Sequence, residues 1–156
     1  SHTTFESYGV EHGDLKGLRN AIPEEHRRLL ADLPWSIEHR DYLFVHAGLD
    51  RNMPFETQVM ILRERDYTLS HPPWLYSKDF IRMGPPADSP VPIVVGHVPL
   101  PEVTFSNGMI TTDTSGGIAG ELSCVLLPER IVLQSGFAPP RSLNATSRRK
   151  PWWKIW

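Results

Sequence analysis

Tyr42-Leu43-Phe44-Val45-His46-Ala47-Gly48 and, further along, Pro92-Ile93-Val94-Val95-Gly96-His97 decide how this chain is read. In each, a short apolar run ends at a histidine with a glycine close by. A run of this length, bounded by turn residues, predicts a buried strand. A glycine at its end lets the backbone turn sharply and leaves an imidazole at the edge of a sheet, where the sites of α/β folds gather. Such a histidine serves either as a hydrogen-bonded structural residue or as a ligand to a borderline metal. Two imidazoles alone do not complete a catalytic centre, which takes at least three protein ligands and a water.

Upstream, Pro23 to Leu33 predicts a helix, with proline in its first turn, Glu24 and Glu25 at its start, and Leu29, Leu30 and Leu33 on one side. Pro34 stops it. Ser36 to Val45 predicts paired strands turning near Arg40-Asp41. A short helix is expected from Gln58 to Asp66, broken by His71-Pro72-Pro73-Trp74 before another from Leu75 to Met83. After the Gly84 to Pro90 loop and the second His-terminated strand, Val103-Thr104-Phe105 and Met109 to Thr112 flank Asn107-Gly108, a strong hairpin signal. Leu122 to Leu127 and Arg130 to Gln134 continue the meander through Pro128-Glu129. Helices come first and strands last, so a mixed α/β sandwich is the expected class.

The 156 residues suit one domain with a tail. At 40% hydrophobic and 22% charged, the chain has the composition of a globular protein. Its 15 prolines, doubled at 72-73, 85-86 and 139-140, predict long connections. No apolar run approaches the roughly 18 residues of a membrane span, and the first residues have neither the basic nor the apolar part of a signal peptide, so a cytoplasmic protein is expected. The one cysteine, Cys124, is expected as a small buried hydrophobe. The net charge of −2 is uneven: Arg141 to Trp156 holds five Lys/Arg and no acid, which leaves eleven basic and eighteen acidic residues, or −7, in the first 140. Basic residues interleaved with Trp152, Trp153 and Trp156 suit a membrane surface or single-stranded nucleic acid in composition. Without helical periodicity the segment is read instead as docking on its own or a neighbouring domain, and neither nucleic acid nor membrane is expected as a partner.

Other motifs are weaker. Thr112 to Gly117 has the composition of a phosphate-cradling loop but not the spaced glycines and Lys-Ser/Thr of a P-loop. Neither Ser77 nor Ser115 lies in a Gly-x-Ser-x-Gly elbow. Asp113 supplies a carboxylate, orders the glycine turn after it, or hydrogen-bonds a ligand from behind. His2, His12, His26, His39 and His71 lie in polar or Pro-rich surroundings and are expected to be exposed.

In chain order, Phe44-Val45-His46-Ala47-Gly48-Leu49, Pro54-Phe55-Glu56-Thr57-Gln58, Trp74 to Phe80, Val94-Val95-Gly96-His97-Val98-Pro99 and Thr112-Asp113-Thr114-Ser115 resemble the calcineurin-like metallophosphoesterases. The nearest branch is the bacterial serine/threonine protein phosphatases with their diadenosine-tetraphosphatase relatives, and the resemblance runs from about Thr4 to Leu133. It implies that residues 1–137 are the C-terminal half of a β-sandwich flanked by helices, four-layer α/β/β/α when complete, followed by a basic Trp-rich tail at 138–156. It implies that His46 and His97 are metal ligands with Asp113 behind them. The complete site would hold two divalent ions about 3.5–4 Å apart, manganese first with zinc or iron as alternatives, activating water for in-line attack on phosphorus while a histidine protonates the leaving oxygen. Both histidines must be neutral to bind, so affinity is expected to weaken below about pH 6.5.

The family's Asp-x-His, Gly-Asp-x-x-Asp-Arg-Gly and Gly-Asn-His motifs, which bring the bridging Asp, the other ligands, a phosphate-binding Arg and the catalytic His, do not occur in this sequence. The catalytic residue is therefore unassigned, and the chain alone is expected to be inactive until an N-terminal half or a second chain completes it. Where relatives carry a phosphate-clamping arginine this chain has Ser77, with Lys78 and Arg82 nearby as candidate substrate-binding residues. A hydroxyl does not replace a bidentate clamp. The substrate implied is a phosphorylated protein or another phosphoester, a dinucleotide included. Two rival readings are a degenerate, non-catalytic binding module and a complementing partner that buries a sheet face against another chain.

Overall fold

A computed structural model of the chain describes residues 2–66, 68–69, 71–117 and 120–136. The tail expected at 138–156 lies outside them. Within the stretch 1–137, contacts gather into two compact units, one ending at Pro34 and one beginning at Trp35.

The first unit carries helices α1 (His2–Ser7), α2 (Leu15–Ala21) and α3 (Glu24–Asp32). Asp14 caps α2 by accepting from the Gly17 N–H at 2.8 Å, and Glu24 and Glu25 sit in the first turn of α3, where the helix dipole favours acids. The helix forms where its proline and acids predict. Its leucine side is not buried, however: Leu29, Leu30 and Leu33 are 61%, 63% and 47% exposed. Phe5 is the only buried residue among those described in this unit, because so short a segment cannot enclose a core of its own.

The second unit begins with the hairpin β1 (Ser36–His39) and β2 (Tyr42–Val45), turning at Arg40-Asp41 as expected. Helix α4 (Phe55–Glu64) follows, then two single turns, α5 (Pro73–Tyr76) and α6 (Phe80–Met83). The single helix expected from Leu75 to Met83 is broken because Ser77 is extended and its Oγ accepts from the Phe80 N–H at 3.1 Å, competing with the helical ladder. Strands β3 (Ile93–Val95), β4 (Thr104–Ser106) and β5 (Met109–Thr111) complete a mixed sheet in the order β1-β2-β3-β5-β4. The central trio β2-β3-β5 is parallel and the outer pairs are antiparallel hairpins. The last two strands, β6 (Ser123–Leu126) and β7 (Ile131–Gln134), do not continue this meander. Among the described strands they pair only with each other, and the chain reaches them past Gly116, Gly117 and Gly120, all at positive φ. Cys124, expected inside, is exposed: the alternation along β6 turns Cys124 and Leu126 outward and half-buries Ser123 and Val125.

A parallel β2-β3 pair requires a crossover, and α4 supplies its core-facing side. Phe55, Val59 and Leu62 recur at helical spacing and pack on Leu43, Val45, Ile93, Val95 and Met109, which alternate onto one sheet face. Leu49, Trp74 and Phe80 complete the cluster. The guanidinium of Arg63 forks onto Glu38 at 2.6 and 2.5 Å, tying α4 to β1 and holding the Glu38 carboxyl below its usual range.

Two residues shape the loop that leaves β2. Gly48 has φ +141°, and a Cβ there would stand 2.6 Å from Cβ of Phe80 and closer still to its ring. Gln58 is fully buried, and its amide oxygen accepts from the Asp50 N–H at 2.7 Å while its amide nitrogen donates to the carbonyls of Asp50 and Met53 at 2.9 and 2.8 Å. Gln58→Met keeps the volume and strips all three partners, so urea denaturation is expected to show a loss of about 2–4 kcal/mol. Gly48→Ala is expected to cost about 2 kcal/mol or more through overpacking. Gly96→Ala, whose Cβ would meet nothing closer than 3.8 Å, serves as the tolerated control.

Candidate functional site

The three parallel strands end side by side, and each end carries a residue singled out from sequence: His46 after β2, His97 after β3 and Asp113 after β5. The ladder runs past the strands proper. The Gly96 N–H donates to the His46 carbonyl at 2.9 Å, and the Thr112 N–H to the Val95 carbonyl at 2.9 Å. Beyond His46 the chain turns inward, with Ala47 and Leu49 buried and the Ala47 N–H donating to the Trp74 carbonyl at 2.8 Å. His46 stays exposed and His97 half-buried. Their rings meet edge-on, centroids 4.8 Å apart, with His46 Nε2 3.0 Å from His97 Nδ1. One of these nitrogens donates and the other accepts, so the pair is held by a shared proton.

The sharp turn expected of glycine at the second strand end is taken by His97 itself, at φ +66°. The Val98 N–H donates to the Gly96 carbonyl at 2.7 Å, closing a three-residue γ-turn with His97 at its centre. Positive φ makes this the rare, strained kind. The other described non-glycine residues at positive φ are Arg65, which ends α4, and Asn107 and Arg130, which lie in turns between paired strands, where left-handed backbone is ordinary. His97 alone among them carries strain of about 1–3 kcal/mol beside a second imidazole, and strain of this kind collects at functional positions.

Burial, and then the charges of His46 and Lys78, hold the His97 imidazole below its ordinary pKa, while Asp113 pulls the other way. Asp113 also orders the loop behind the pair: Oδ1 accepts from the N–H groups of Ser115 and Gly116 at 3.2 and 2.7 Å, and its carbonyl accepts from the Leu100 N–H at 2.9 Å. Of the candidate substrate residues, only Lys78 has its charge felt at His97. Ser77 is engaged with α6, and Arg82 pairs with Asp79 and lines a groove at the other end of the sheet. His2, His12, His26, His39 and His71 are exposed, as expected. Sequence reading missed Gln58, whose latch on Asp50 and Met53 fixes the loop leaving His46. A glutamine at helical spacing between Phe55 and Leu62, on their apolar face, was the available signal.

Two nitrogens bound to one first-row cation at about 2.0–2.1 Å stand about 2.9–3.4 Å apart for ligand angles from square to tetrahedral. The 3.0 Å separation of the imidazole nitrogens matches that chord in length, but it is the length of the hydrogen bond that joins the rings, so a cation has to displace the proton between them; neutral imidazoles suit a borderline divalent metal. Among the described residues no group of three or more His, Cys, Asp or Glu is placed to hold a metal ion. The pair offers two imidazole nitrogens, fewer than the three protein ligands a catalytic site takes. No family model matches the chain, and no curated protein matches it. Among the described residues no helix is long and apolar enough to cross a membrane.

Because the folded chain disfavours protonated His97, the unfolded chain takes up that proton first as pH falls. Stability from this group is complete above about pH 6.5 and is lost as pH drops through the lower folded value. The His97 ring should titrate by NMR below about 6.5, moving up in Lys78→Ala and further down in Asp113→Asn.

Proposed function

We infer that the chain supplies two imidazole ligands to a metal-dependent phosphoester-hydrolysing site of the calcineurin-like metallophosphoesterase type. The observation that carries this reading is the convergence of His46 Nε2 and His97 Nδ1 to 3.0 Å, with His97 held there in a strained γ-turn. His46 and His97 would hold one divalent cation, manganese, zinc or iron. When bound, such ions supply Lewis acidity toward phosphoryl oxygen and acidify water. Before binding, the proton shared between the rings must move to a ring nitrogen facing away, which leaves both rings neutral. The depressed pKa of His97 favours that neutral form. Lys78, whose ammonium is felt at His97, is the cation available to a phosphate brought to this edge. Asp113 positions the Ser115-Gly116 turn behind the pair. The remaining ligands and the proton donor come from a separate segment or chain carrying the family's N-terminal motifs, which would complete the second layer of the sandwich. A phosphorylated protein or a diadenosine polyphosphate is the substrate class on this reading.

A second reading, a non-catalytic binding module, is favoured by Ser77: its hydroxyl is committed to the Phe80 N–H and offers no phosphate clamp. Metal content separates the two. After equilibration with manganese or zinc and desalting, mass spectrometry is expected to find bound metal in the wild-type chain and none in His46→Ala/His97→Ala. Metal-free wild type would favour the module. Hydrolysis of a phosphate ester is expected only after the complementing segment is added, and robust turnover by the chain alone would contradict the split site.

A further inference from the structure

At the end of the sheet opposite the histidine pair lies an open groove of about 580 Å³. It forms where the connection from Gly84 to Pro92 passes the Asn107-Gly108 turn, at the N-terminal ends of β3 and β5. The Ile93 N–H donates to the Gly108 carbonyl at 2.9 Å, and Gly108, at φ +71°, admits Pro85 so closely that a Cβ would meet its Cγ at 3.2 Å. The groove is thus a consequence of the hairpin and of the parallel register.

Its charge is unlike that of the chain around it. The first 140 residues sum to −7, yet no Asp or Glu lines the groove, while Arg51 and Arg82 do. Arg51 has no carboxylate partner among the described residues. Its Nη1 donates to the Met83 carbonyl, which fixes the side chain and leaves the rest of the guanidinium fork open. Arg82 pairs with Asp79 in an exposed i,i+3 contact, a weak arrangement in water. Pro85, Pro86, Pro90 and Pro92 form the walls. They hold the backbone rigid and bring no N–H donors; the carbonyls of Pro86 and Pro92 accept from the Ser89 and Leu43 N–H groups at 3.1 Å each, which leaves those of Pro85 and Pro90 among the described residues. Free inorganic phosphate has no use for those carbonyls. An extended peptide offers them its N–H groups and, if phosphorylated, offers the arginines an anion matched to their fork.

We propose that this groove is a docking site for a phosphorylated, extended peptide, held by Arg51 and Arg82 and separate from the histidine pair. It does not depend on the metal-site reading. The volume lies in the range of ligand sites and takes a few residues.

The full chain without added metal is titrated with a fluorescein-labelled peptide carrying one phosphoserine, with its unphosphorylated counterpart, and with inorganic phosphate as competitor. The phosphopeptide is expected to bind at least about tenfold more tightly than its counterpart, with Arg51→Glu and Arg82→Ala each weakening it about tenfold or more. Arg51→Lys keeps the charge but loses the fork, and is expected to fall between. His46→Ala/His97→Ala is expected to bind as wild type does, whatever the outcome of the metal test. Thermal melts confirm folding, and if Arg51→Glu does not fold, Arg82→Ala and Arg51→Lys decide. Equal binding of the two peptides, or wild-type binding by the arginine variants that fold, overturns the site. Inorganic phosphate competing as tightly as the phosphopeptide overturns the peptide assignment.

Discussion

A single backbone hydrogen bond, from the Gly96 N–H to the His46 carbonyl at 2.9 Å, carries parallel pairing one step beyond the β2 and β3 strands. Without that step the two imidazoles would leave the sheet at unrelated heights. With it, they emerge on neighbouring strands of one parallel trio, at the edge where open α/β sheets place their ligands. The crossover and the core packing support that register. The crossover through α4 makes parallel pairing possible, and the alternating Leu43, Val45, Ile93, Val95 and Met109 penalise a slip by one residue, which would turn each of them to the other face.

The register alone does not bring the nitrogens together. His97 must also leave the strand in left-handed backbone, and the γ-turn that places it there is unfavourable for a side chain of its size. A rigid surround holds it: Asp113 orders the next loop, whose carbonyl link to Leu100 lies just beyond the turn, and Ala47 is locked to the Trp74 carbonyl. The strain falls on a half-buried residue whose ring also meets a second imidazole.

The same short strands separate two kinds of chemistry. Their C-terminal ends present nitrogen donors suited to a soft-to-borderline cation, and their N-terminal ends present guanidinium donors between proline walls, suited to an anion. Arg82, named from sequence with Ser77 and Lys78 as a candidate substrate-binding residue, lines the groove with Gly84 and Gly108.

What the sequence by itself determined is local. Apolar runs ending at His46 and His97, Asn107-Gly108, and the Pro23-Glu24-Glu25 start each encode their element within a few residues, through side-chain burial, turn geometry and capping. Ser77, Cys124 and the leucines of α3 show the limit of that reading, since each was assigned from its neighbours in sequence and each was settled by something else: a competing hydroxyl, the phase of a separate hairpin, and a unit too small to bury a face. Only the tertiary structure decided that the two histidines touch, that one of them bends the chain where glycine was expected to, and that two arginines share a groove free of acids. These depend on distances between residues far apart in the chain, and strand pairing and crossover packing set such distances cooperatively.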